Sequence, residues 1–389
     1  MRRLFQSLTS SLIRKPASGK FIPFIDGLRF LAIVPVIVQH ANERLFKYGT
    51  LPDLKPLEAQ LSFLISRGTV GVFLFFAISG FVLSLPIAKV GNREEYGSYL
   101  KRRLYRIEPP FLFWMSCCAL LLLVLGKYPP IELLRHFAAT ITYTHQLFYQ
   151  DYSIINPVAW SLEVEIQFYL LAPFIGAAYF HCQKICMRRI GLMGFILGWM
   201  VFQHTMGWQA GPWKATLLGQ LPHFLIGMLV ADLYHYPIAR LQNFRFWDLL
   251  LPVFALVMAY SWTAELWKSM VFEVALLGIF LSAFYGKLTH RMLSLSWVAI
   301  IGGMCYSIYL IHLPILEGFY SFIGRFGQWS GYLGQLSISL SIALPLLFLC
   351  SIIAYRWVEQ PFMRKGKGAK KSSFLINLHT PNKAQTANS

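Results

Sequence analysis

Arg29 and His40 each stand out of place in the stretch FIDGLRFLAIVPVIVQH (residues 24–40), which is otherwise apolar enough for lipid. A guanidinium holds phosphate-like anions through forked hydrogen bonds. An imidazole, with a reference pKa of ~6.5, takes up or gives a proton near neutral pH. Eleven helical residues bring the two within about 20° of one face, about 16 Å apart along the axis. An elongated phosphate-bearing carrier with a reactive end, such as an acyl-coenzyme A, has the shape to lie between them. Plainer readings stay open: Arg29 snorkels to headgroups, and His40 is hydrogen-bonding glue between helices. Asp26 suits an N-cap, its carboxylate accepting from the first-turn amides, and Pro35 predicts a bend.

The element that positions such a pair has to be a membrane helix. The chain has 389 residues, 56% hydrophobic and only 13% charged, with a mean hydropathy of +0.52. Apolar runs recur from residue 28 to 354 with short polar breaks. They predict an all-α, polytopic transmembrane bundle of about ten helices, near 27–46, 68–88, 109–126, 162–180, 190–206, 214–234, 249–263, 269–286, 296–316 and 332–354, each close to the ~20 residues a span needs. The +18 net charge first suggests nucleic acid. With the N-terminus inside, however, 26 of the 35 Lys and Arg residues fall on cytoplasmic segments, which is the positive-inside pattern. Both termini are expected in the cytoplasm, and no nucleic acid is expected as a partner.

Residues 1–21 are expected to be a cytoplasmic segment and not a cleaved signal, since they lack a continuous apolar core. Residues 22–363 would form the membrane domain and 364–389 a basic, then polar, disordered tail. No soluble second domain that would carry a group onward is expected. The six cysteines are scattered over spans and one loop, not spaced as a disulfide framework. No H-E-x-x-H, C-x-x-C or clustered carboxylate set predicts a metal.

DGLRFLAIVPVIVQH resembles the first-helix motif of the acyltransferase-3 family, integral membrane proteins that O-acylate sugars of lipopolysaccharide, peptidoglycan and other glycans. Further segments are similar in order: GVFLFFAISGFVLS (71–84), YLKRRLYRIEPPF (99–111), WSLEVEIQFYLLAPF (160–174), YSIYLIH (306–312) and YRWVEQPF (355–362). The likeness runs from about residue 22 to 363. Phe30 departs from it, standing where the family commonly has a small residue.

The resemblance implies acyl-CoA, acetyl-CoA foremost, as a cytoplasmic co-substrate, and a carbohydrate as acceptor. Arg29, Arg103 and Arg106 then become its phosphate contacts, in what reads as a basic loop before Pro109-Pro110. His40 is the expected base or acyl relay, and Glu165 orients its imidazole or contacts the acceptor. Glu163, 200° away from Glu165 around the helix, serves the helix dipole instead. Tyr309 and His312 share a helix side and, with Trp160, are expected at the acceptor; His312 as a quiet interhelical bond stays open. Glu359 is expected in a structural ion pair with Arg29 or Arg106, and Ser79 as packing. The expected activity is O-acyl transfer at the cell inner membrane. A proton-coupled transporter is the competing class, although no duplicated halves are evident.

Overall fold

The computed structural model describes residues 22–49, 51, 53–87, 93–326 and 330–365. The expected segment 1–21 and the tail beyond Lys365 lie outside the described residues. Proline opens several helices, because its fixed φ suits a first helical turn whose amides are unpaired anyway. Pro23 starts α1 (Pro23–Tyr48), Pro56 starts α2 (Pro56–Ser66) and Pro130 starts α5 (Pro130–Ile141). Between them run α3 (Val70–Ile87) and α4 (Arg93–Val124), with a 3-10 turn at Arg67–Thr69 before α3. Then come α6 (His145–Tyr149), α7 (Ala159–His181), α8 (Ile185–Thr205) and α9 (Leu217–His235). The chain continues through α10 (Trp247–Ser261), α11 (Leu266–Tyr285), α12 (Lys287–Leu293), α13 (Ser296–Gly303), α14 (Cys305–Ile323) and α15 (Tyr332–Ala354), which ends in a π-helical turn at Tyr355–Glu359.

Three expectations are corrected. First, the early start at Pro23 makes Ile22 the N-cap residue, so Asp26 lies inside the first turn and pairs with Arg29 three residues on. Second, the basic stretch before Pro109-Pro110 is not a loop but part of α4, which carries both prolines within it. The Tyr306 hydroxyl donates to Ile107 O at 2.7 Å and braces α14 against α4 beside them. Third, the single span expected at 296–316 is two helices broken at Met304. Gly302 and Gly303 are weak helix formers, and a Cβ on Gly302 would overlap Asp26 O of α1.

Eight helices among the described residues are long and apolar enough to cross a membrane. The other two expected spans are α7, 23 residues long but carrying Glu163 and Glu165, and α10, 15 residues long. The bundle has an inside and a lipid side. The most apolar stretch of α9 is 78% buried, whereas that of α8 is 22% buried, and Leu120, Leu121 and Val124 of α4 stay exposed. Such an apolar exterior fits hydrocarbon. Helix α1 packs against α3, α13 and α14, and α3 against α9. The α3–α9 seam is glycine-made: a Cβ on Gly80 would overlap Phe224 O, and one on Gly227 would overlap Ala77 O. Small residues at such crossings let backbones touch. All six cysteines are free thiols.

Candidate active site

Helices α1, α3, α4, α7 and α14 enclose a cavity of ≈110 Å³. Arg29, Arg103 and Arg106 line one end of it. Arg29 is bound to Asp26. The Arg103 guanidinium lies 5.9 Å from the centre of the Tyr169 ring. Arg106 makes no ion pair with a carboxylate among the described residues. Glu165 lines the same cavity, and accepts from Ser79 Oγ and from Tyr169 OH, both at 2.5 Å. Tyr169 lies four residues after Glu165, on the same helix face. Ser79, expected as mere packing, is therefore a polar member of the cavity wall. Phe30 turns aside and packs edge-on against Trp297 at 5.5 Å.

The walls rise along α1 and α14 as far as Val36 and Tyr309. About one turn further, roughly 6 Å along α1 and 4.5 Å along α14, stand His40 and His312, their rings 5.3 Å apart. His40 Nδ1 lies 2.8 Å from Glu43 Oε2, and Gln39 Nε2 donates to Glu43 Oε1 at 2.8 Å. Thr69 of the 3-10 turn donates in turn to Gln39 Oε1 at 2.6 Å. A carboxylate only accepts, so His40 presents its Nδ1 proton to Glu43 and turns Nε2 away from it. The carbonyls of Tyr309 and Ile308, at 2.8 and 3.2 Å, fix His312 Nδ1 in the same way. His312 Nε2 is fully buried and has no partner. Two imidazole rings, each held through Nδ1, thus stand 5.3 Å apart.

Glu165 does not orient His40 in this structure: its hydroxyl partners hold it in the lower cavity, and the carboxylate on His40 is Glu43. Sequence reasoning missed Glu43, although its signal, an acid three residues after the histidine, was present. Tyr309 OH contacts Val158 O and lies 3.1 Å from Ser161 Oγ, tying α14 to the start of α7. Trp160 packs edge-on against Phe76 at 5.9 Å, outside the cavity lining. Glu163 faces elsewhere, accepting from Gln146 N at 3.2 Å. Glu359 is buried and accepts from Ser307 Oγ at 2.6 Å. Tyr143, also unforeseen, donates to Glu108 Oε2 at 2.6 Å, and burial together with that carboxylate pushes its phenol far up. Among the described residues no group of His, Cys, Asp or Glu side chains is arranged to hold a metal ion.

The fold and the site define a multi-pass membrane protein with a cation-lined cavity that ends one helical turn short of a histidine–carboxylate pair. The chain belongs to the acyltransferase-3 family: residues 22–356 match the family model described as an acyltransferase domain. It is similar to O-acetyltransferase OatA of Staphylococcus aureus strain MRSA252, 26% identical over 400 residues, covering 93% of this chain and 61% of that protein. OatA of strain NCTC 8325 is 26% identical over 386 residues, covering 91% and 59%. The chain thus spans about three-fifths of the length of these curated relatives. No solved structure matches it.

Proposed function

We propose that the chain is a membrane O-acyltransferase of the cell inner membrane. It would move an acyl group, acetyl foremost, from cytoplasmic acyl-CoA to a hydroxyl of a cell-envelope or precursor carbohydrate. One observation carries the reading: a cavity that begins at three guanidiniums ends one helical turn short of two neighbouring imidazoles. Phosphates of the donor rest against Arg29, Arg103 and Arg106, and Glu165, Ser79 and Tyr169 shape the wall beside the donor's arm. The thioester then arrives beneath His40. Nε2 of His40 takes the proton of the sugar hydroxyl as its oxygen attacks the thioester carbon. The carbon–sulfur bond breaks, and the imidazolium returns its proton to the leaving thiolate. Glu43 holds the Nδ1 proton and balances the imidazolium charge that forms. General base assistance of this kind is worth roughly 10²–10⁴-fold.

His312 offers the second proton acceptor near the same hydroxyl. A relay in which His40 itself carries the acyl group uses the same geometry, and an acyl-enzyme trapped during turnover separates the two routes. Mass spectrometry of cell-envelope glycans with and without the chain tests the function. Loss of a single acyl increment, restored by wild-type protein but not by His40→Ala, is expected. Unchanged glycans would refute it.

A further inference from the structure

A second cavity lies across the Arg67–Thr69 turn from the middle of α1. It encloses ≈400 Å³, a usual size for a small-molecule site. It is walled by α3, α8, α9, α11 and the segment 209–214, and shares no lining residue with the first cavity. The Arg67–Thr69 turn separates it from the His40–Glu43 pair: Arg67 lines the cavity, and Thr69 bonds to Gln39 on the other side.

The lining holds polar atoms buried without hydrogen bonds: Oε1 of Gln209, Oε1 of Gln220, Oε2 of Glu273, Nε of Arg67 and Nδ1 of His223. Gln220 and Glu273 are 3% and 5% exposed. Native interiors leave few such atoms unsatisfied, and those that remain call for an explanation such as water or a ligand. The free ends are defined by the bonds already made. The Gln220 amide nitrogen is taken by Lys214 O at 2.6 Å, and Glu273 Oε1 stands 2.6 Å from His223 Nδ1. Three acceptors therefore await hydroxyl or N–H donors. On the donor side, Arg67 spends one N–H on Trp262 O at 3.1 Å and keeps Nε. Lys214 holds its ammonium 4.9 Å over the Trp262 ring and makes no ion pair among the described residues. Glu273 is the one carboxylate in the lining, so the two cations leave an excess positive charge. Trp262 and Phe73 add flat apolar surface.

We propose that this cavity binds a sugar unit bearing one anionic group, with its hydroxyls on Gln209, Gln220 and Glu273 and its carboxylate or phosphate on Arg67 and Lys214. The site rests on the acyl-transfer reading only in making that sugar part of the acceptor, whose chain then passes over the Arg67–Thr69 turn to His40. The test is calorimetry on the full chain in nanodiscs, without donor, using glucuronate, glucose 1-phosphate and glucose as probes. At least one anionic sugar should bind about tenfold or more tightly than glucose, as expected for a charge-assisted contact, and the tighter of the two identifies the anion. Lys214→Met should bring the anionic sugars to the level of glucose, and Gln209→Ala should weaken them while leaving the protein monodisperse. His40→Ala should keep sugar binding whether or not acyl transfer occurs, so the two claims fail separately. Equal binding of all three probes, no binding of any (a cavity filled by water alone), or full anionic binding by Lys214→Met would overturn the proposal.

Discussion

A histidine whose Nδ1 proton is fixed by a carboxylate differs from a free one, because its Nε2 lone pair is present and aimed before substrate arrives. Glu43 is placed to hold His40 in that way, 2.8 Å from its Nδ1. His40→Ala should cut acyl transfer by roughly 10²-fold or more while the protein still inserts and accumulates. Glu43→Gln should lower turnover by about tenfold or more, through kcat and not through the donor KM, since the partner group acts on the imidazole and touches no substrate. Glu165→Gln should do the reverse, raising the donor KM first, because its bonds to Ser79 and Tyr169 lie in the lower cavity. If the two variants showed the same kinetic split, the roles assigned to these acids would be wrong. Arg29 and His40 were legible in the sequence because a single helix fixes their spacing. The company of Glu165 was not, since Ser79 reaches it only through the packing of α3 against α7.

At the level of elements, α4 matters because it presents Arg103 and Arg106, three residues apart, to one side of the cavity. Loss of one charge-assisted phosphate contact costs about 1.5–3 kcal/mol. Arg106→Ala should therefore raise the donor KM roughly 10- to 100-fold, and unchanged donor kinetics in the Arg103→Ala/Arg106→Ala double variant would remove the phosphate site. The α3–α9 seam positions Ser79, and Gly227→Leu should force the helices apart at a cost of about 1–3 kcal/mol or more, seen as a lower Tm in detergent. The connection around α6 should respond to acid. His145 lies 2.8 Å from His136 and 3.1 Å from Asp151 O, and burial above all holds its imidazole below the ordinary range. Its neutral form is favoured by the fold, so that contribution is whole above the unfolded value of ~6.5 and is lost as pH falls towards the depressed one. Hydrogen exchange across 143–155 should speed up between neutral and mildly acidic pH more than in His145→Gln. The ten apolar runs were readable one by one from composition. The break at Met304 and the helical course of the basic stretch were not, because each depends on a neighbour: Asp26 O beneath Gly302, and the α14 brace beside Pro109-Pro110.

For the whole molecule, the distribution of Lys and Arg predicts which face meets the cytosol, and the proposed donor would enter there. Cys182 and Cys186 at the α7–α8 junction lie on the side assigned to the cytoplasm. An impermeant maleimide should label them only after the membrane is opened, and labelling in intact cells would reverse the orientation. The central claim, that one carrier bridges the guanidiniums and the histidine pair, is tested most directly by a cryo-EM structure with a non-hydrolysable thioether analogue of acetyl-CoA. Phosphate density is expected against Arg29, Arg103 and Arg106, with the acyl carbonyl beside Nε2 of His40. An analogue bound elsewhere, or lying in this cavity with its acyl end directed away from His40, would contradict it.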